Sequence, residues 1–181
     1  MLRKLQCAVL LMISMLLVVP QAQAASGAEI DAKVQEALSN LYKTSSSATR
    51  LSQKAVGVLV FPEVIKAGFG IGGEYGEGAL LRGGKTSGYY NVVSASVGLQ
   101  FGAQLKAEVI LFMTKDAMNK FLNSDGWEAG VDGSVAVATL GAGGEIDSNT
   151  AQQPIIGFIF SNKGLMYNLT LEGAKISKID R

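Results

Sequence analysis

Histidine is absent from this 181-residue chain, and cysteine occurs only once. Without histidine the protein lacks the commonest general base of enzymes, the usual catalytic triads and the main protein ligand of zinc. The single thiol, Cys7, has no partner in the chain with which to form a disulfide. These absences argue against an enzyme before any motif is considered, and we expect neither a metal nor another cofactor.

An excess of charge is also missing, because 16 basic residues accompany 15 acidic ones. Proteins that bind nucleic acids do so through clustered positive charge, which this composition does not supply. We therefore expect no nucleic-acid partner.

The first 24 residues have the pattern of a signal peptide. Arg3 and Lys4 precede an apolar run over residues 8–19, and Ala22-Gln23-Ala24 is a small-residue cleavage site. The run is short for a membrane-spanning helix. We predict an exported protein, periplasmic or membrane-associated, whose mature part is one domain of residues 25–181.

Lipid attachment at Cys7 is the weaker alternative. A lipoprotein cysteine follows the apolar run and becomes the first mature residue, whereas Cys7 precedes that run. If cleavage follows Ala24, the mature chain holds no thiol, and its 14 basic and 15 acidic residues give a net charge of −1.

The sequence predicts three helices. Apolar residues at helical spacing predict the first over residues 28–42, with Ser26 as its N-cap, and a second, shorter helix is predicted over about residues 46–54, after the polar residues 44–47. A third helix is predicted over residues 116–122, with Thr114 as its cap.

Residues 55–112 are the stretch around which the chain is organised. Pro62-Glu63 predicts a turn, and Gly83-Gly84 predicts a two-residue hairpin. A face without side chains lets another backbone approach closely and lets a sheet bend. Five glycines lie an even number of residues apart, so an extended chain places them on one such face: Gly68, Gly70, Gly72, Gly76 and Gly78.

Short apolar or alternating runs predict further strands later in the chain. They lie at residues 109–113, 134–140, 155–160, 165–171 and 175–179. We therefore predict an α+β fold with a strongly curved antiparallel sheet that could close into a small barrel. An N-terminal helical segment and one inserted helix would cover it.

Six motifs follow one another along the chain: residues 57–62 (GVLVFP), 66–78 (KAGFGIGGEYGEG), 88–91 (GYYN), 94–104 (SASVGLQFGAQ), 133–137 (GSVAV) and 164–167 (GLMY). In this order they resemble the SYLF domain family, and the resemblance covers about residues 28–179. It implies a lipid-binding module that, in bacteria, often stands alone behind a signal peptide, whereas eukaryotic members bind phosphoinositides.

Phospholipid binding requires an apolar surface for acyl chains and a few cations for the phosphate. Trp127 and Phe69 could enter a bilayer interface, although packing in the core or a loop suits both better. Each candidate cation also fits a solvated charge that protects a strand end. These candidates are Lys66, Arg82, Lys85, Lys106 and Lys163.

Other chemistry receives less support from the sequence. Residues 68–73 match G-x-G-x-x-G, but a dinucleotide site needs a helix after the glycines, and here the step-of-two pattern continues. Asp147-Ser148-Asn149 lacks the spacing of an EF-hand calcium loop. A hydrolase without histidine would use paired carboxylates, for which the candidates are Glu74, Glu77, Glu108 and Asp132.

The sequence therefore predicts a non-enzymatic phospholipid-binding protein of the bacterial cell envelope, acting at a membrane surface or through an apolar groove. A structural or interaction protein of the envelope, with protein partners and no lipid ligand, is the first alternative, and a carboxylate-dependent hydrolase is the second. An integral outer-membrane barrel fits poorly because of the inserted helix and uneven strands.

Overall fold

The computed structural model describes residues 25–138, 146–161, 164–165, 171 and 173–181, and it gives only the backbone of residues 68–71, 96–103 and 164–165. The predicted signal peptide and Lys163 lie outside the described residues.

Three α-helices are present in the described part of the chain: α1 (Gly27–Thr44), α2 (Ser46–Lys54) and α3 (Lys115–Leu122). The Ser26 hydroxyl accepts a hydrogen bond from the Glu29 amide, and the Thr114 hydroxyl accepts one from the Ala117 amide, so both predicted caps are confirmed. None of these helices is long and apolar enough to cross a membrane.

Two very long strands form the centre of the sheet: β1 (Gly57–Arg82) and β2 (Lys85–Phe112), which pair antiparallel over their whole length. Gly83 and Gly84 join them with φ of 57° and 77°, as a two-residue hairpin turn requires. The predicted turn at Pro62-Glu63 is wrong. These residues form an irregularity inside β1, where the register shifts and proline's missing N–H is tolerated.

In the described part of the chain, five short strands complete a curled sheet of seven strands. They are β3 (Trp127–Glu128), β4 (Ala136–Val137), β5 (Ile155–Ser161), β6 (Gly164–Leu165) and β7 (Lys175–Ile179). The inner strand is β2, which pairs with β7 near its start and with β5 near its end. The α+β class and the strong curvature are confirmed, with the difference that β4 and β5 pair in parallel.

The two faces of the hairpin belong to two hydrophobic cores. Leu111 and Val109 of β2 pack with α1 and α2, and we call this side the α1 face. Ile110 and Phe112 pack with α3 and with Trp127, and we call this side the α3 face. Alternation along the strands assigns the remaining described side chains to one face or the other.

Glycines allow the two limbs of β1, which are its residues 57–66 and 74–82, to approach each other. A Cβ at Gly78 would lie 2.0 Å from the Val60 carbonyl oxygen, and one at Gly76 would lie 2.8 Å from the Glu63 carbonyl oxygen. A side chain fits at neither position, so the predicted use of a bare glycine face, the close approach of another backbone, is confirmed at these two positions.

Candidate functional site

The α1 face continues beyond the helices that cover it, at the bend of the hairpin. Leu111, Val109 and Ala107 are buried on this face, whereas Leu105, the next residue on it, is 49% exposed. Its direct partner across the strands, Ile65, is 54% exposed. The buried core under α1 therefore runs without interruption into an uncovered apolar surface.

A second cross-strand pair lies on the same face at the other end of the bend. Tyr75 pairs with Val93, and their side chains are 48% and 47% exposed. We call Ile65, Leu105, Tyr75 and Val93 the apolar strip. Large exposed apolar residues that are grouped on one face usually mark a binding surface, whereas exposed apolar residues that are scattered singly are normal.

On the opposite, α3 face, four charged residues form a cluster, of which two are buried and two partly exposed. Lys106 Nζ lies 2.6 Å from Glu74 Oε2 and 2.9 Å from Glu108 Oε1, and Lys66 Nζ lies 2.9 Å from Glu74 Oε1. The Lys106 and Glu108 side chains are each 1% exposed. We call these residues the charge cluster.

The charge cluster shows how tightly β1 bends. Eight residues of extended strand span about 26 Å, more than a lysine and a glutamate side chain can bridge. The ion pair between Lys66 and Glu74 therefore requires β1 to curl toward the α3 face between them. The apolar strip lies on the other face and so occupies the outer side of the bend.

Burial and charge act in opposite directions on the pKa values in the cluster. Burial raises the pKa of Glu108, and the Lys106 ammonium offsets this only in part. Burial also acts to raise the pKa of Glu74, but hydrogen bonds from Lys106 and Lys66 outweigh it and hold this pKa below its usual range. Burial acts to lower the pKa of Lys106, but the two carboxylates raise it overall.

The predicted lipid-binding cations fall into two separate groups. Lys66 and Lys106 are ion-paired within the charge cluster. Arg82 and Lys85 are exposed cross-strand partners at the hairpin turn. The fifth candidate, Lys163, is outside the described residues.

The four candidate carboxylates are not brought to one place. Glu74 and Glu108 meet through Lys106 on the α3 face, whereas Glu77 lies on the α1 face and binds Arg181. Asp132 accepts a hydrogen bond from the Glu128 amide in an exposed turn.

The remaining motifs have structural roles. Residues 68–73 lie within β1, so the prediction of a strand rather than a dinucleotide loop is confirmed. Asp147 accepts hydrogen bonds from the Asn149 and Thr150 amides, and its pKa is lowered first of all by the Thr150 hydroxyl. In the described part of the chain, no three acidic, cysteine or histidine side chains are placed to hold a metal ion.

Trp127 is 1% exposed and packs edge-on against Phe112 and Phe121, at centroid distances of 6.5 and 5.9 Å. The prediction that it packs in the core is confirmed. For Phe69 the structure describes only the backbone.

The sequence analysis did not identify a set of residues with polar groups that lies beside the apolar strip. Lys175 of β7 is the direct partner of Val93, which itself faces Tyr75. Ser177 follows on the same face, and Gly126 precedes the neighbouring strand β3. The alternation of Lys175 and Ser177 was visible in the sequence, but their place beside β2 depends on a pairing more than 80 residues away.

Residues 93–181 match the family model described as Ysc84, Las17-binding protein actin regulator. This is the SYLF family, so the resemblance seen in the sequence motifs is confirmed over the matched residues. The matched part includes Val93 and Leu105 of the apolar strip. Among curated proteins, none matches the chain significantly.

Proposed function

This chain belongs to the Ysc84, or SYLF, family, and on that premise we propose that it is a non-enzymatic phospholipid-binding protein that docks the apolar strip on a membrane. The family is one of non-catalytic binding domains, which suits a chain without histidine. The observation that carries the proposal is the uncovered continuation of the α1 core at the bend.

The geometry of the strip suits a bilayer surface. Its two pairs lie on the outer side of a bend, facing away from the charge cluster, so each pair is open to contact from outside. The charge cluster on the opposite face ties the two limbs of β1 together by ion pairs, and this gives the strip a fixed shape. A rigid apolar surface loses little conformational entropy when it binds.

The size of the strip predicts weak and reversible binding. Full burial of a large apolar side chain contributes about 1.5–3 kcal/mol, so a half-exposed one gains roughly 1 kcal/mol on entering a membrane. The strip has four such side chains. Even if all four insert, the total of about 4 kcal/mol corresponds only to millimolar affinity, so stable docking needs a second contact, as for singly acylated proteins.

Removing half of the strip should nearly abolish binding. We expect Ile65→Ser with Leu105→Ser to weaken sedimentation with phosphatidylglycerol–phosphatidylcholine vesicles about 30-fold, because roughly 2 kcal/mol of apolar transfer is lost. The matched control is Val131→Ser, since Val131 is an apolar side chain 73% exposed outside the strip. Equal binding by the double variant and the Val131→Ser control would exclude the strip as the contact. Binding by the wild type should survive moderate salt, because salt screens charges and leaves apolar contacts in place.

We also propose that the protein is exported and acts in the bacterial cell envelope. The pattern of residues 1–24 supports this, and mass spectrometry of the protein from a periplasmic fraction should give an N-terminus at Ala25. An intact N-terminus in the cytoplasmic fraction would contradict export.

A second candidate function comes from the description of the family, which names Las17 binding and actin regulation. The same strip could bind a protein instead of a lipid. Sedimentation of the purified chain with actin filaments, run beside the vesicle assay, separates the two. Sedimentation with filaments but not with vesicles would favour the protein partner.

A further inference from the structure

We propose that Lys175, Ser177 and the backbone of Gly126 form a cradle for the phosphate group of a membrane phospholipid whose acyl chains contact the apolar strip. This inference rests on the proposed function and adds to it the headgroup contact that the strip alone lacks. None of the three residues belongs to the cations predicted from the sequence.

The Lys175 and Ser177 side chains lie together over Gly126, which has no side chain of its own. A Cβ placed on Gly126 would lie 3.4 Å from Lys175 Nζ and 3.5 Å from Ser177 Oγ. It would also lie 2.6 Å from Lys175 Cε, so any larger residue would displace the lysine side chain. Gly126 has a φ of 90°, a conformation that other residues rarely adopt.

The cradle borders the strip. Lys175 pairs directly with Val93, and Val93 pairs with Tyr75, so the three side chains form one row on the α1 face. A lipid whose phosphate lies at Lys175 can therefore place its acyl chains against Val93 and Tyr75 without crossing a polar residue.

The Lys175 ammonium is available for an anion. It forms no ion pair in the described part of the chain, although Glu128 is its partner across the strands. Glu77, the nearest carboxylate along the face of β1, is held by Arg181. Asp125 precedes Gly126 in the chain. Lys175 thus differs from Lys66 and Lys106, whose charges are already matched by carboxylates.

The groups present suit a phosphodiester. The ammonium supplies a positive point charge, and the serine hydroxyl and any free backbone N–H donate hydrogen bonds to phosphate oxygens. One exposed ammonium holds a free anion poorly in water. The adjoining apolar strip therefore favours a phosphate that arrives on a lipid.

Vesicle binding by matched variants tests the cradle. We expect Lys175→Gln to weaken binding to phosphatidylglycerol-containing vesicles about fivefold, the usual effect of one lysine at an anionic membrane. We expect Ser177→Ala to weaken it about twofold. Lys120→Gln is the control because it removes the same charge from an exposed site on α3, and it should change binding by less than about twofold.

The outcomes distinguish this inference from the proposed function. If Lys175→Gln matches Lys120→Gln while Ile65→Ser with Leu105→Ser still abolishes binding, the cradle is wrong and the strip stands. If the wild type binds no vesicle, the proposed function fails and the cradle fails with it. Thermal unfolding of each variant checks that it remains folded.

A second measurement separates a lipid headgroup from a free anion. Dihexanoyl phosphatidylglycerol below its micellar concentration should shift the amide resonance of Gly126, whereas inorganic phosphate at the same concentration should not. Equal shifts from both would show a site for free phosphate and overturn the membrane assignment.

Discussion

Replacing Gly78 with alanine is expected to lower the free energy of unfolding by more than about 4 kcal/mol. The new Cβ would lie 2.0 Å from the Val60 carbonyl oxygen and 2.7 Å from Phe61 Cδ1. The obstacle is backbone in a packed core, which relaxes little. Relief requires the two limbs of β1 to separate, and this opens the fold where both cores meet.

The control is Gly73→Ala in the same strand, where the nearest atom to a new Cβ is the Ser94 carbonyl oxygen at 3.4 Å. This is an ordinary contact, and the variant should stay within about 1 kcal/mol of the wild type. Urea denaturation followed by circular dichroism measures both. Similar midpoints for the two variants would show that the limbs of β1 are not in close contact.

The second large effect is expected at the charge cluster. Lys106→Met removes the cation between Glu74 and Glu108 and should cost about 3–5 kcal/mol, because Glu108 is left as a buried charge without a partner. Adding Glu108→Leu removes that charge, and the double variant should recover most of the loss. Urea denaturation of the single and double variants forms the test.

The same variants should differ in how their stability depends on pH. Burial raises the pKa of Glu108, so the folded state binds its proton more tightly than the unfolded state does. Lys106→Met removes the opposing ammonium, and the stability of this variant should therefore rise as the pH falls through the folded-state pKa of Glu108 toward its unfolded-state pKa. The double variant lacks Glu108 and should show no such rise. If its stability also rose, the pH dependence would come from a group other than Glu108.

At lower pH the wild type should lose stability through Glu74. Its pKa is lowered in the folded state, since the hydrogen bonds and charges of Lys106 and Lys66 outweigh burial. The stabilisation is therefore complete above the unfolded-state pKa and is lost as the pH falls through the folded-state pKa.

Local patterns predicted the helices well. The N-caps and apolar spacing placed α1 and α3 within one or two residues of their observed bounds, because these signals act within a single turn. The Gly83-Gly84 hairpin was predictable for the same reason.

The long strands were not predictable from such local signals. Pro62 usually ends a strand, but here the register shift between Phe61 and Val64 accommodates it. Nothing local shows that β1 and β2 continue through their irregularities as strands of 26 and 28 residues. The bend depends on contacts between the limbs, which alternation alone does not reveal.

The candidate site depended even more on tertiary structure. Lys66 and Lys106 were reasonable cations from the sequence, and only the folded chain shows them paired with Glu74. The apolar strip combines side chains from two strands, and these side chains are exposed because α1 and α2 do not extend over them. Lys175 reaches it through the pairing of β7 with β2.

Contact between the apolar strip and lipid can be measured directly with a fluorescent label. In the chain starting at Ala25, which has no native thiol, Val93→Cys would carry a polarity-sensitive dye on the strip. Gln35→Cys, at an exposed position of α1, is the matched control. With phosphatidylglycerol vesicles, we expect a blue shift and quenching by brominated lipid at position 93 but not at position 35. An aqueous spectrum at both positions, under conditions where the protein sediments with the vesicles, would contradict the docking of the strip.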